Sequence, residues 1–451
     1  MQGVWSLTNH SYPLLSWKES VLCYDMKGEN WALTSGWRHI HARNRVFRFE
    51  PASEDSVRFN PLQEIRVRTS HEVADAQNIA VMLVDPEGRG MLDHWSKTSY
   101  ALLTGLILHC VYAMPKEHDR PANLADLGQV LSHPDRTIYQ TLEMMRTFPH
   151  LEHGPHLVVA HEARAMLNKD ERELSSVVSS AMSFLSLYRD PIVASNVTIS
   201  DFSIDDLMND DCPVSLYLVV RPPDQDRVRP LLRLIVTQII KRLTDGGAEF
   251  AQGQNQAHRH RLLLMLDEFP NLKRLTVMEE ALAFMAAYGI KAYIVVQDLQ
   301  QIVATYGRDE TLIANCHIRV AYAPNRIETA EILSRMSGTT TIVRKQTTFS
   351  GKRFGTLLGH VSERMDEVSR PLLTPDEIGR LPKPQKDDRG QIKSPGDMLI
   401  FVAGHPPIYG QQILYYNDQV FSARAAVPPP QYYDFGGSVR LTREQNVLRF
   451  P

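Results

Sequence analysis

Cysteine is scarce in this chain: Cys23, Cys110, Cys212 and Cys316 lie far apart and form no C-x-x-C pair. That argues against a disulfide framework or a cysteine zinc site and fits a reducing cytoplasm. The histidines lack metal-ligand spacing: His258 and His260 fall in a polar stretch, and His161 stands beside Glu162. A G-x-S-x-G elbow and a catalytic-cysteine context are also missing. Long apolar runs are lacking too. The longest, Tyr100 to Met114, is a turn or more short of a bilayer span and is interrupted by Thr104 and His109, which suits a buried core helix. Met1 to His10 has no basic region followed by an apolar core, so it does not read as a signal peptide. A formal charge of −3 gives no global pull toward nucleic acid or membrane, so any DNA contact must come from a local patch. The phosphate-binding pattern G-x-x-x-x-G-K-[ST] is absent as well. Gly351-Lys352 is followed by Arg353 and has no glycine five positions earlier.

What is present is an ordinary globular composition, 43% apolar and 22% charged over 451 residues, enough for two domains or one elaborated one. Val21 to Tyr24 reads as a strand, Trp31 to Trp37 as a short helix and Arg45 to Phe49 as a second strand. From about Ser70 to Arg189 helical patterns dominate: Glu72 to Val84, Trp95 to Ala113, Leu124 to Leu131, Arg136 to Thr147 and Arg172 to Tyr188. Strand-helix alternation then returns, with strands at Val214 to Val220, Leu262 to Leu266, Ala292 to Val296 and Ile318 to Ala323. Helices at Arg227 to Leu243, Thr276 to Tyr288 and Arg326 to Met336 lie between or after them. Such alternation predicts a parallel α/β sheet, which Asp397 to Val402 and Gln411 to Tyr415 would extend.

The chemistry-bearing positions cluster at strand ends. Leu262 to Leu266 is an apolar run that suits a strand buried on both faces, and it ends in Asp267 and Glu268. Ligands of open α/β sheets sit at the carboxyl ends of the strands. A pair of this kind holds a magnesium shell and activates water in nucleotide hydrolysis, and the same pair also serves as a helix cap. Gln297 follows the next strand and is expected beside that pair, as a γ-phosphate sensor or a turn-stabilising amide. Asp25, Lys27 and Glu29, with Gly28 permitting a tight turn, face a nucleotide, face a neighbouring subunit or form an internally paired turn. Between Ile332 and Val361 there is no acidic residue, whereas Arg344, Lys345, Lys352 and Arg353 are basic and Phe349 and Phe354 offer stacking groups. This is the best local candidate for a nucleic-acid backbone, with a solvated loop as the alternative.

These stretches resemble the TraG branch of the type IV secretion coupling proteins, relatives of the FtsK-type DNA-pumping ATPases. The resemblance rests on Val21 to Asn30, Leu263 to Asn271, Tyr288 to Gln297, Asn315 to Pro324, Ser337 to Thr341 and Ser369 to Ile378, and it spans about Tyr12 to Tyr416. It implies a RecA-like, P-loop-type α/β motor domain with a mainly parallel sheet and an inserted all-α domain. On that basis residues 1–69 are the first part of the motor, 70–190 the insertion, 191–425 the remainder and 426–451 a little-ordered tail. It implies ATP and magnesium as cofactors, with Asp267 holding the metal through water and Glu268 activating water. Gln297 would be the sensor, and Asp25, Lys27 and Glu29 the strand-end charged motif. It also implies a hexamer at the cytoplasmic face of a bacterial inner membrane. There it would deliver relaxase-bound single-stranded DNA, or protein substrates, to the secretion channel.

The departures lie at the N-terminus. Tyr12 to Trp17 keeps the stretch that follows the family's phosphate loop, which puts the expected loop lysine near Ser6 and most loop glycines before Met1. The membrane anchor and phosphate cradle of the family are thus not found in residues 1–451. An arginine acting across a subunit boundary is not evident near Ala286 and Ala287, where Lys291 offers the only charge. Losing two charge-assisted contacts at about 1.5–3 kcal/mol each weakens nucleotide binding by roughly two to four orders of magnitude. The expectation is therefore either a coupling ATPase read from a mis-started chain, or a truncated non-hydrolytic remnant acting as a soluble cargo-binding or ring-contributing subunit.

Overall fold

The computed structural model describes residues 7–245, 250–251, 254–255, 258–350, 360–388 and 392–431. The chain divides into two compact units, Met1–Val296 with Tyr415–Pro451, and Gln297–Leu414.

In the first unit α1 (Leu7–Ser16) leads into β1 (Ser20–Met26), α2 (Glu29–Ile40) and β2 (Arg45–Phe49). A helical block follows: α3 (Glu72–Val84), α4 (His94–His118), α5 (Leu124–Leu131), α6 (Ile138–Thr147), α7 (Leu157–Leu167), α8 (Glu171–Phe184) and α9 (Pro191–Asn196). The sheet resumes with β3 (Val214–Val220), α10 (Gln225–Leu243), β4 (Leu262–Leu266) and β5 (Ile290–Ile294). The strand order is β2-β3-β1-β4-β5, every neighbouring pair being parallel. All residues of β1, β3 and β4 are buried, which explains why they read as mainly apolar runs instead of alternating ones. The edge strand β5 is half-exposed and ends at Ile294, two residues before the predicted end.

Arg38 anchors α1 to this sheet. It is fully buried and its five N–H donors go to the carbonyls of Leu14, Trp17 and Glu19, to Asn44 Oδ1 and to Ser215 Oγ. Burial lowers its pKa to about 10. No carboxylate is among these partners; a complete set of oxygen acceptors offsets the cost of burying the cation. The helix Gln419–Ala425 packs on the same region: Arg424 Nη1 donates to Leu15 O at 2.6 Å and its guanidinium lies over Trp37. Residues 427 and 428 lie over Gly36, where a Cβ would fall 2.2 Å from Pro428 O. The expected tail 426–451 therefore begins with packed residues, and 432–451 lie outside the described residues.

The helical block is organised around α4, which is packed by α3, α7 and α8. It is the one described helix long and apolar enough to cross a bilayer, and most of its apolar window is buried in the fold. Sequence patterning missed α7 and α9. The outgoing and returning segments of the block are pinned together at its base. Arg58 pairs with Asp201 at 2.8 Å, Asn60 Nδ2 donates to Thr198 O at 2.9 Å, and Phe202 stacks on both Phe47 and Phe59.

The second unit carries a separate sheet. β6 (Ile318–Tyr322), β9 (Asp397–Val402) and β10 (Ile408–Gln411) pair antiparallel in the order β10-β9-β6, so the late strands do not extend the parallel sheet as expected. One face of this sheet, through Leu399 and Phe401, packs with Ala330 and Leu333 of the helix Ile327–Ser337 and with Ile378. Between them in sequence, β7 (Thr339–Ser350) and β8 (His360–Pro371) form a two-stranded antiparallel hairpin. Of the acid-free stretch, for which the sequence offered a solvated loop as the alternative to a nucleic-acid contact, residues 339–350 are thus strand, consistent with their threonines and other β-branched residues.

Candidate nucleotide and magnesium site

β1 and β4 are neighbours, so their carboxyl ends bring two sequence-predicted motifs together. Asp267 follows β4 and is 2% exposed; its backbone N–H still bonds Tyr24 O on β1 at 3.3 Å. Its Oδ2 accepts from Asn30 Nδ2 at 3.4 Å, whereas Oδ1 is buried and has no hydrogen-bond partner. Burial, and then the charge of Glu268, push the Asp267 pKa up to about 6. Glu268 takes a left-handed backbone, φ 50 and ψ 48, which is uncommon for a residue with a side chain. Its Oε2 accepts from Asn271 Nδ2 at 2.7 Å. A backbone held in this region at a strand end marks a functional candidate.

The charged motif after β1 divides into two roles. Asp25 is fully buried, and its oxygens accept the N–H groups of Asn30 at 3.2 Å and Trp31 at 2.7 Å. It thereby caps the first turn of α2, and burial raises its pKa to about 7 despite those bonds. Lys27 and Gly28 are both left-handed, φ 80 and 77, so the chain reverses sharply after β1. At Gly28 a Cβ would combine that backbone with a 3.3 Å approach to Val219, which is why glycine fits. Lys27 is exposed, and Glu29, in the first turn of α2, has its pKa raised by burial. Asp25, Glu29, Asp267 and Glu268 influence one another electrostatically, with Lys27 as a nearby cation.

Gln297 is the first residue of the second unit, not of the unit carrying the carboxylates. Its N–H donates to Gln301 Oε1 at 3.2 Å, just before an Asp298-capped helix, Leu299–Tyr306. Arg344 and Lys345 lie on β7. Lys345 pairs with Glu363 at 2.7 Å and Arg344 stands opposite Asp366, so the acid-free stretch meets acidic partners across the hairpin. Lys352 and Arg353 lie outside the described residues. Sequence reasoning gave Asn30 no role. The signal was a polar residue in the first turn of the helix leaving a strand-end motif.

The family model described as type IV secretory system conjugative DNA transfer matches residues 13–433. The chain belongs to that family. This member is 51% identical over 426 residues to the conjugal transfer protein TraG of Escherichia coli, a match covering 93% of this chain and 67% of that protein. It is 27% identical to the protein VirD4 of Agrobacterium fabrum (strain C58), covering 90% of this chain and 56% of VirD4. Among solved structures, the conjugative coupling protein TrwBdeltaN70 in an unbound form superposes with a TM-score of 0.62 at 18% identity, covering 89% of this chain and 79% of that one. TrwB in complex with ADP and Mg2+ matches with a TM-score of 0.59 at 19% identity, covering 88% and 78%. The family member therefore has the TrwB fold, built on the five-stranded parallel sheet.

Proposed function

We propose that this protein is a coupling ATPase, which delivers relaxase-bound single-stranded DNA to a type IV secretion channel at the inner membrane as a hexameric ring. The motor is formed by residues 1–69 and 191–425, with 70–190 as the inserted all-α domain and 426–451 as its tail. The observation that carries the reading is Asp267, in a chain of this family: a buried carboxylate at the carboxyl end of a parallel strand, one oxygen held and the other unpartnered. That donor set fits a magnesium ion bound through water, because a buried carboxylate oxygen without a hydrogen-bond partner is an acceptor that a metal-bound water would satisfy. Magnesium, when bound, neutralises charge on the phosphate oxygens of ATP. Asp267 holds its water shell, Glu268 orients and deprotonates the attacking water, and Gln297 senses the γ-phosphate. Lys27 and Glu29 are the members of the β1 motif that remain to face nucleotide, while Asp25 holds α2. Arg344, Lys345, Lys352 and Arg353 are the proposed contacts with the DNA backbone.

The test is ATP hydrolysis by the full-length gene product with and without single-stranded DNA, alongside Glu268→Gln. DNA-stimulated turnover that this substitution removes supports the reading. Relaxase or single-stranded DNA binding with no turnover under any condition would support the non-hydrolytic alternative instead.

A further inference from the structure

The main chain of Asn30 is already committed: its N–H donates to Asp25 and its carbonyl accepts from Thr34 Oγ1 at 2.6 Å. Its side chain is 4% exposed and reaches Asp267, 237 positions away in sequence. An aspartate's carboxylate torsion is broad, so an unheld side chain would interchange its two oxygens. A lysine or arginine at this point would fix it too, but would also neutralise the charge that a cation requires. A neutral amide donor fixes the group and leaves its charge in place. We infer that Asn30 is a positioning residue for Asp267: by holding Oδ2 it makes Oδ1 the oxygen turned to the water shell of magnesium, a role that rests on the magnesium reading above.

Because the backbone bonds of Asn30 survive any side-chain change, substitutions there separate donation from packing. Asn30→Asp keeps the shape and removes the donor, adding a carboxylate to the acidic cluster. Asn30→Ala removes both shape and donor but adds no charge. If the amide positions Asp267, Asn30→Ala raises the Mn2+ concentration needed to half-saturate the full-length protein with ADP by roughly tenfold, and Asn30→Asp raises it further. A packing role reverses that order, and Asn30→Asp then matches the wild type in Mn2+ binding followed by electron paramagnetic resonance. A second readout needs neither metal nor nucleotide. In protein labelled with 15N-asparagine, the Asn30 side-chain amide resonances shift in Asp267→Ala. Unmoved amide resonances, or the reversed order, overturn the inference alone. A wild-type protein that binds no Mn2+ with ADP overturns the magnesium reading and the role assigned to Asn30 with it, while the shifted amide still reports the contact.

Discussion

Asp25 and Asp267 stand at the ends of adjacent strands, both buried and both with raised pKa values, yet they are put to opposite uses. Asp25 spends its two oxygens on backbone N–H groups of α2, and Asp267 keeps one oxygen unpartnered. Burial and a shifted pKa are therefore shared by an anchor and a candidate ligand. What separates them is hydrogen-bond satisfaction: a buried acceptor without a partner calls for an explanation, and a bound cation's water shell is one.

The sharpest way to break this comparison is at Glu268 next door, the position proposed to activate water. Glu268→Gln is expected to lower ATP turnover by roughly 10²–10⁴, the usual contribution of a general base, with the thermal midpoint almost unchanged. A turnover loss that tracks a loss of folding would remove Glu268 from the chemistry. Next in size, Asp25→Ala leaves two N–H groups without acceptors and is expected to destabilise the first unit by about 2–4 kcal/mol in denaturant titrations. Asp267→Asn at the neighbouring strand end is expected to cost less than about 1 kcal/mol, since it removes a buried charge from an acidic cluster. Equal losses for the two would erase the distinction between anchor and ligand.

The pH dependence sets the sheet against the helical block. Asp25 and Asp267 have folded pKa values of about 7 and 6, above the ordinary 3.8. Their contribution to stability is full below that ordinary value and is lost as pH rises through 6 and 7. In the block, His150 Nδ1 accepts from the His156 N–H, so its Nε2 must donate to His109 Nδ1. Burial lowers these imidazoles to about 4 for His150 and about 3 for His109, and the charges of His156 and Lys116 around His150, and of Arg136 near His109, add to it. Their contribution is full above 6.5 and is lost as pH falls toward 4. Acidification from pH 7 to 5 is thus expected to speed hydrogen exchange in peptides around His109 and His150 relative to peptides of β1 and β4, after correction for intrinsic rates. Parallel changes in both regions would contradict that opposition. The smallest effect concerns the hairpin: Lys345→Ala breaks a half-exposed pair and is expected to move stability by no more than about 0.5 kcal/mol. Any drop in single-stranded DNA affinity should be correspondingly modest, measured by fluorescence anisotropy at fixed salt.

Much of the sheet was legible because a strand buried on both faces leaves a largely apolar run, and Leu262 to Leu266 and Val214 to Val220 were delimited to the residue. The carboxylates after β4 were legible for the same reason. The job of Asp25 was not, since it depends on two consecutive left-handed residues that turn α2 back over the strand end. Nor was the unpartnered oxygen of Asp267, whose counterpart is held by an amide far away in sequence. The hairpin escaped because attention to charge along one strand said nothing of Glu363 and Asp366 arriving from the other. The antiparallel sheet of the second unit escaped because alternating helices and strands signal parallel pairing until a strand such as β10 returns on β9 without a crossover helix.

The helical block leaves the sheet after β2 and comes back into β3, and those two strands are hydrogen-bonded neighbours. With Arg58 clasped to Asp201 and Phe202 wedged between Phe47 and Phe59, the chain is tied off at the neck. To the sheet, the whole block is a loop whose closure entropy is met at that knot and grows only slowly with the length beyond it. Helices above the neck are therefore at liberty to lengthen, shrink or be exchanged, while the strands below keep their register.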